Sequence, residues 1–147
     1  MNARGIACVA RRFLAYAWVA PYSVLGLLLG CVTVIAGARM RVREGALEIG
    51  GGALGRLARH LPAPISFCAI TLGHVILGLD AVTLDAVRDH EQVHVRQYER
   101  WGLLFGPAYL LSSLVQLLRG RRPYLDNHFE REAYAVARER RSLRGRT

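Results

Sequence analysis

Between Arg12 and Arg39 the chain carries no charged residue. As a helix the run from Phe13 to Ala38 rises about 39 Å, enough to cross a hydrocarbon core of about 30 Å with some tilt. A small domain has too little surface to cover so apolar a helix on every side, so the run reads as a single transmembrane anchor. Residues 1–12 then form a basic N-terminal segment. Ala36-Gly37-Ala38 has the form of a signal-peptidase site, but the apolar run before it exceeds the usual length of about 7–15 residues, which favours an uncleaved anchor.

The remaining composition narrows the partners. With 52% hydrophobic and 21% charged residues among 147, the chain is not disordered, and its length suits one domain plus a membrane element. The net charge is +9, and all 20 basic residues are Arg, a uniformity that points to the coding bias of a high-GC genome. Such a charge favours anionic lipid headgroups or nucleic acid. No aromatic residues interleave Arg119, Arg121 and Arg122 or the run from Arg138 to Arg146 as a base-stacking surface would, so these read as lipid-facing or solvated and nucleic acid is disfavoured. Arg4, Arg11 and Arg12 nearly balance Arg39, Arg41 and Arg43 around the anchor; the larger basic excess beyond it favours the carboxyl side being cytoplasmic. Cys8, Cys31 and Cys68 lack metal-ligand spacing and read as small buried hydrophobes. Leu28-Leu29-Gly30-Cys31 faintly resembles a lipoprotein processing box, but the chain stays apolar after the cysteine.

Beyond the anchor, a domain over residues 39–143 and a basic tail over 144–147 are expected. Arg39 to Ile49 has strand character with a turn at Arg43-Glu44-Gly45, closed by Gly50-Gly51-Gly52. Leu54 to Leu61 is a short basic amphipathic piece stopped by Pro62 and Pro64. Ile65 to Leu79 is rich in β-branched residues and reads as a buried strand or hairpin turning near Gly73. Thr83 can cap a helix from Leu84 to Trp101, with Gly102 past its end. Leu103 to Leu118 is apolar, and a last helix is expected over 128–143.

The residues that carry chemistry are His90-Glu91-Gln92-Val93-His94, an H-E-x-x-H on the predicted helix. Positions four apart share a helix face, so both imidazoles can reach one Zn²⁺. Glu91 is rotated off that axis, where it can hold an attacking water and take its proton. A catalytic zinc site needs a third protein ligand. The final helix offers Glu130 and, as an alternative, Glu132.

These residues resemble the gluzincin-type membrane zinc metallopeptidases, a group that includes prenyl-protein and stress-response endopeptidases and β-lactam sensor proteases. In that group H-E-x-x-H is followed on a later helix by E-x-x-A-D, whose Glu is the third ligand. Aligning Ala133 with that Ala places Glu130 on the ligand position. The resemblance covers roughly Ile65 to Val136 and departs at Tyr134, which stands where the group carries an Asp that orients a ligating His. It implies an α+β, minimal zincin-like domain behind an N-terminal transmembrane helix, with Zn²⁺ as cofactor and peptide bonds as substrate.

Around this core, Gln97 is a candidate to orient a ligand, and Trp101 reads as packing. Tyr98, Tyr124 and Tyr134 are candidates to steady an oxyanion. His74 reads as a satisfied core histidine, His60 and His128 as surface residues, and Glu130 could instead complete a capping box with Asn127. Because His94 precedes Leu103–Leu118 and Glu130 follows it, that stretch cannot simply cross the bilayer if both residues meet at one metal. It is expected to be buried or interfacial, with Arg119 to Arg122 at headgroup level. The leading expectation is a single-pass zinc metallopeptidase acting on a membrane-proximal peptide or protein. Its rival is an inactive zincin-like membrane protein that binds or scaffolds.

Overall fold

The computed structural model describes residues 3–58, 60 and 68–145. In chain order, helix α1 (Ala3–Ile35) leads into strands β1 (Ala38–Arg43) and β2 (Ala46–Gly51), a short helix α2 (Gly52–Ala58), and strands β3 (Ala69–Leu72) and β4 (Val75–Gly78). Helix α3 (Ala81–Trp101), a 3-10 turn (Gly102–Leu104), α4 (Phe105–Leu118) and α5 (His128–Arg144) complete the chain. The fold is α+β, with a four-stranded sheet in the order β1-β2-β4-β3. The outer pairs are antiparallel and β2 pairs β4 in parallel. Both expected hairpins form. Glu44 and Gly45 take positive φ at the tip of the first, the geometry that matches a two-residue turn to strand twist, and Gly73 opens the second at φ +64. The expected prolines at 62 and 64, and the strand residues Ile65 to Phe67, lie outside the described residues.

The sheet is covered on both faces. Ala46 and Ile76 meet Leu84 and Val95 of α3 on one side, while Ile49 and Val75, with Leu77, meet Val34 of α1 on the other. Helix α1 is therefore a layer of the fold along much of its length. It runs beside the sheet from Tyr16, whose hydroxyl donates to Gly45 O at 2.7 Å, to Val34. Gly26 and Gly30, one turn apart, make this approach possible. A Cβ on Gly26 would stand 2.7 Å from Val75 Cβ, and one on Gly30 would stand 2.3 Å from Ile49 Cδ1. The spacing is the small-residue pattern that lets a membrane helix pack closely, used here against a sheet.

The opposite face of α1 is apolar and open, with Leu14, Trp18, Leu25, Leu28, Val32 and Ile35 all exposed. Leu14–Ile35 is long and apolar enough to cross a membrane. The cysteines correct the expectation of burial: Cys31 is exposed on this outer face and Cys68 is exposed at the start of β3. His74 behaves as expected of a core histidine. It is buried, stacks on Tyr16 with ring centroids 3.9 Å apart, and lies 3.2 Å from Glu99 Oε1.

Helix α3 begins earlier than expected. Asp80, not Thr83, is the N-cap, and its carboxylate accepts from Thr83 N at 2.7 Å. Aspartate outperforms threonine as a cap, and the shift frees Asp85 to join a second tie between layers. Glu48, buried on β2, accepts from Arg41 Nε and Arg88 Nε at 2.7 Å each, while Asp85 pairs with the same two arginines. Arg41 is thus committed to the fold.

Helix α4 is at the surface. Only Phe105 among its residues is buried, and Leu110, Leu111, Leu114, Leu117 and Leu118 are exposed, which removes the buried alternative for this segment. With α3 it forms a second stretch, Ala81–Leu118, that is long and apolar enough to cross a membrane. Its own 14 residues reach only about 21 Å, and the chain folds back on it at once. Ser112 Oγ accepts from His128 N at 3.0 Å, and Asn127 Nδ2 donates to Tyr109 O and Ser113 Oγ. The first turn of α5 therefore lies beside the middle of α4.

Candidate metal centre

His90 and His94 occupy one face of α3, and Asn127 starts α5 so that Glu130 meets them from its first turn. Asn127 Oδ1 accepts from Phe129 N at 2.9 Å, so the asparagine caps the helix without the Glu130 side chain. That carboxylate is turned inward: Oε2 lies 3.2 Å from His90 Nε2, Oε1 lies 3.3 Å from His94 Nε2, and the two Nε2 atoms are 3.1 Å apart. All three side chains are buried, and together they form a group able to hold a metal ion.

These separations suit zinc. Three donors bound at about 2.0–2.1 Å around a tetrahedral centre stand about 3.3 Å from one another. The hydrogen bonding behind them agrees. Gln97 is wholly buried, and its Nε2 donates to Phe129 O at 3.0 Å and Glu132 Oε2 at 2.9 Å. That fixes Gln97 Oε1 as an acceptor, 2.8 Å from His94 Nδ1. The proton of a neutral His94 then sits on Nδ1, and the Nε2 lone pair faces Glu130 and His90. Glu130 Oε2 has no hydrogen-bond partner among the described residues, a costly state for a buried carboxylate oxygen that a cation would relieve.

Burial works to raise the Glu130 pKa, but contact with His90 and His94 in the protonated forms they take without a metal, and the hydrogen bond from Tyr109, hold it well below the usual carboxylate range. The carboxylate is thus kept ionised, as a metal ligand must be.

Glu91 stands beside this group and outside it. Its Oε2 accepts from Thr71 Oγ1 of β3 at 2.6 Å, and it is buried at the wall of a cleft of about 770 Å³ that the three candidate ligands also line. Glu132, the alternative ligand, is turned away and bonded to Gln97 and Arg100. Tyr134 packs its ring 4.5 Å from that of His90, whose buried Nδ1 has no partner among the described residues. One histidine is thus held by a hydrogen bond at Nδ1 and the other, among the described residues, is not.

Of the tyrosine candidates, Tyr98 is buried in an aromatic core with Phe105 and Tyr22. Tyr98, Tyr124 and Tyr134 all line the cleft, Tyr98 from within that core. Burial and the nearby charge of Glu130 push the Tyr124 hydroxyl up, so it stays protonated. No sequence motif singles out Tyr109 or Thr71. Tyr109 donates to Glu130 Oε1 at 2.8 Å, and its only sequence signal is a hydroxyl within an aliphatic helix. Trp101 packs edge-on against Phe129, and His60 and His128 are exposed, as expected.

Comparison of the chain with protein-family models, curated proteins and solved structures finds no match.

Proposed function

We propose that the chain is a membrane-associated, zinc-dependent metallopeptidase. The observation that carries this reading is the placement of Glu91: a buried carboxylate in the same cleft as His90, His94 and Glu130, adjacent to one ligand and not part of the group. A zinc ion bound there would polarise a peptide carbonyl and make water a stronger acid. The chain's own residues would do the rest. Glu91, oriented by Thr71, takes the proton of the water as its oxygen attacks the carbonyl carbon, then returns it to the amide nitrogen as the C–N bond breaks. Tyr124 or Tyr134 supplies a hydroxyl toward the developing oxyanion. Among the described residues β3 is an edge strand, and its edge beside Thr71 would offer backbone groups to an extended peptide.

Because the sheet covers one face of α1 from Tyr16 to Val34, the expected single pass gives way in this proposal to a seat at the cytoplasmic membrane face, with the open faces of α1 and α4 in lipid and Arg119, Arg121 and Arg122 near anionic headgroups. The test compares wild type with Glu91→Gln on a membrane-protein or casein-like substrate, with zinc measured on the same samples. Retained zinc and a loss of cleavage by 10²–10⁴-fold, roughly the worth of general-base catalysis, is the expected result. Zinc bound by wild type with no cleavage of a broad panel would favour the binding module.

A further inference from the structure

The two ends of the cleft differ in chemistry. Ala69 of β3 pairs with Gly78, where a Cβ would touch Leu84 near the start of α3. Arg141 of α5 donates to Ala86 O at 2.6 Å in the same region. The Ala69 end of β3 and the C-terminal part of α5 therefore share one end of the cleft. Leu72, at the other end of β3, lines the cleft as well, and exposed Leu110 of α4 forms part of its wall.

The α5 wall is a single helical stripe. Glu130, Tyr134, Arg138 and Arg141 all line the cleft, at spacings of four, four and three residues, so the ligand and the two guanidinium groups lie on one face. Arg140 and Arg144 on the same helix are drawn toward Asp89. Arg138 has no carboxylate partner among the described residues, and Arg141 spends its hydrogen bond on a carbonyl, which leaves its charge uncompensated. The only carboxylates lining the cleft are Glu91 and Glu130, both already engaged. The undescribed residues, 1–2, 59, 61–67 and 146–147, contain no Asp or Glu. Among the described residues no carboxylate is paired with Arg138 or Arg141 at the basic end.

We propose that this end binds a carboxylate of the substrate, and that Arg138 reads it; the proposal rests on the peptidase reading above. Glu130 and Arg138 are separated along α5 by about 12 Å, the span of about four extended residues. Antiparallel addition to β3, the more stable mode per residue, runs a peptide from the Leu72 end to the Ala69 end. The carboxylate then lies on the C-terminal side of the cleaved bond, three or so residues on, with apolar residues on the N-terminal side toward α4. Its source is an Asp or Glu side chain or the peptide's own C-terminus.

The experiment measures binding of labelled peptides to zinc-supplemented Glu91→Gln protein in detergent micelles, so that binding is read without turnover. The probes share an apolar N-terminal half and carry Glu, Gln or Lys three residues past the centre, each with a free or amidated C-terminus. A control carries Glu on the N-terminal side. The Glu probe should bind about fivefold more tightly than the Gln probe, the worth of one partly exposed ion pair. That ratio should fall to one with Arg138→Gln and shift toward the Lys probe with Arg138→Glu. A preference kept by the amidated Glu probe assigns the side chain as source, and one confined to free C-termini assigns the chain end. Equal binding of all probes, a preference that survives both substitutions, or one seen only for the N-terminal Glu overturns the proposal. Wild-type protein separates the two readings: a Glu preference without cleavage contradicts the peptidase, and cleavage without a Glu preference contradicts the subsite.

Discussion

Gln97 holds His94. Its carbonyl oxygen is 2.8 Å from Nδ1, and its amide is pinned by Phe129 O and Glu132. The residue one turn down α3 from the second histidine therefore does the orienting that the resemblance would assign to the position of Tyr134. Gln97→Leu removes the acceptor at similar volume. The expected outcome is a 10–100-fold weaker zinc affinity, the usual scale for losing such a partner, with helical content unchanged; competition titration against a chelator reads it.

The other histidine gives the converse prediction. His90 Nδ1 is buried with no partner among the described residues, beside the Tyr134 ring. Tyr134→Asp places a carboxylate where it can accept from that nitrogen. Zinc should be retained about tenfold more strongly by the same titration; unchanged or weaker retention would mean that His90 needs no orienting partner.

Packing of α1 on the sheet predicts a stability effect far from the metal. Gly30→Leu drives a side chain into Ile49, and overpacking of this kind costs typically about 1–3 kcal/mol. Thermal unfolding in detergent should show a lowered Tm. A matched substitution on the outer face, Leu28→Ala, should leave Tm nearly unchanged, because Leu28 is 62% exposed.

Much of the site was legible because its signal is local. H-E-x-x-H spacing follows from helix geometry alone, and the Glu-Gly turn and the Gly73 hairpin from backbone conformations few residues tolerate. What could not be read depends on long-range placement. Both faces of α1 are apolar, so periodicity cannot separate the face on the sheet from the open one, and Cys31, expected to be buried, lies exposed. The early start of α3 came from Asp80 outcompeting Thr83 as cap, two residue types that both cap well. Tyr109 reaches Glu130 only because α5 folds back along α4, a contact spanning 21 residues.

That return of α5 onto α4 also fixes a topological expectation. Reporters fused after Arg43 and after Leu143 should lie on the same side of the membrane, because α4 is too short to be a separate span and α5 bonds to its middle. Reporters on opposite sides would mean that His94 and Glu130 cannot meet.

The central claim is that His90, His94 and Glu130 form one zinc site, and elemental analysis of the purified protein tests it most directly. Wild type and Glu91→Gln should each carry close to one zinc per chain, while His94→Ala and Glu130→Gln lose most of it. Wild-type protein that is free of zinc after gentle purification, and takes none up when zinc is supplied, would contradict the account.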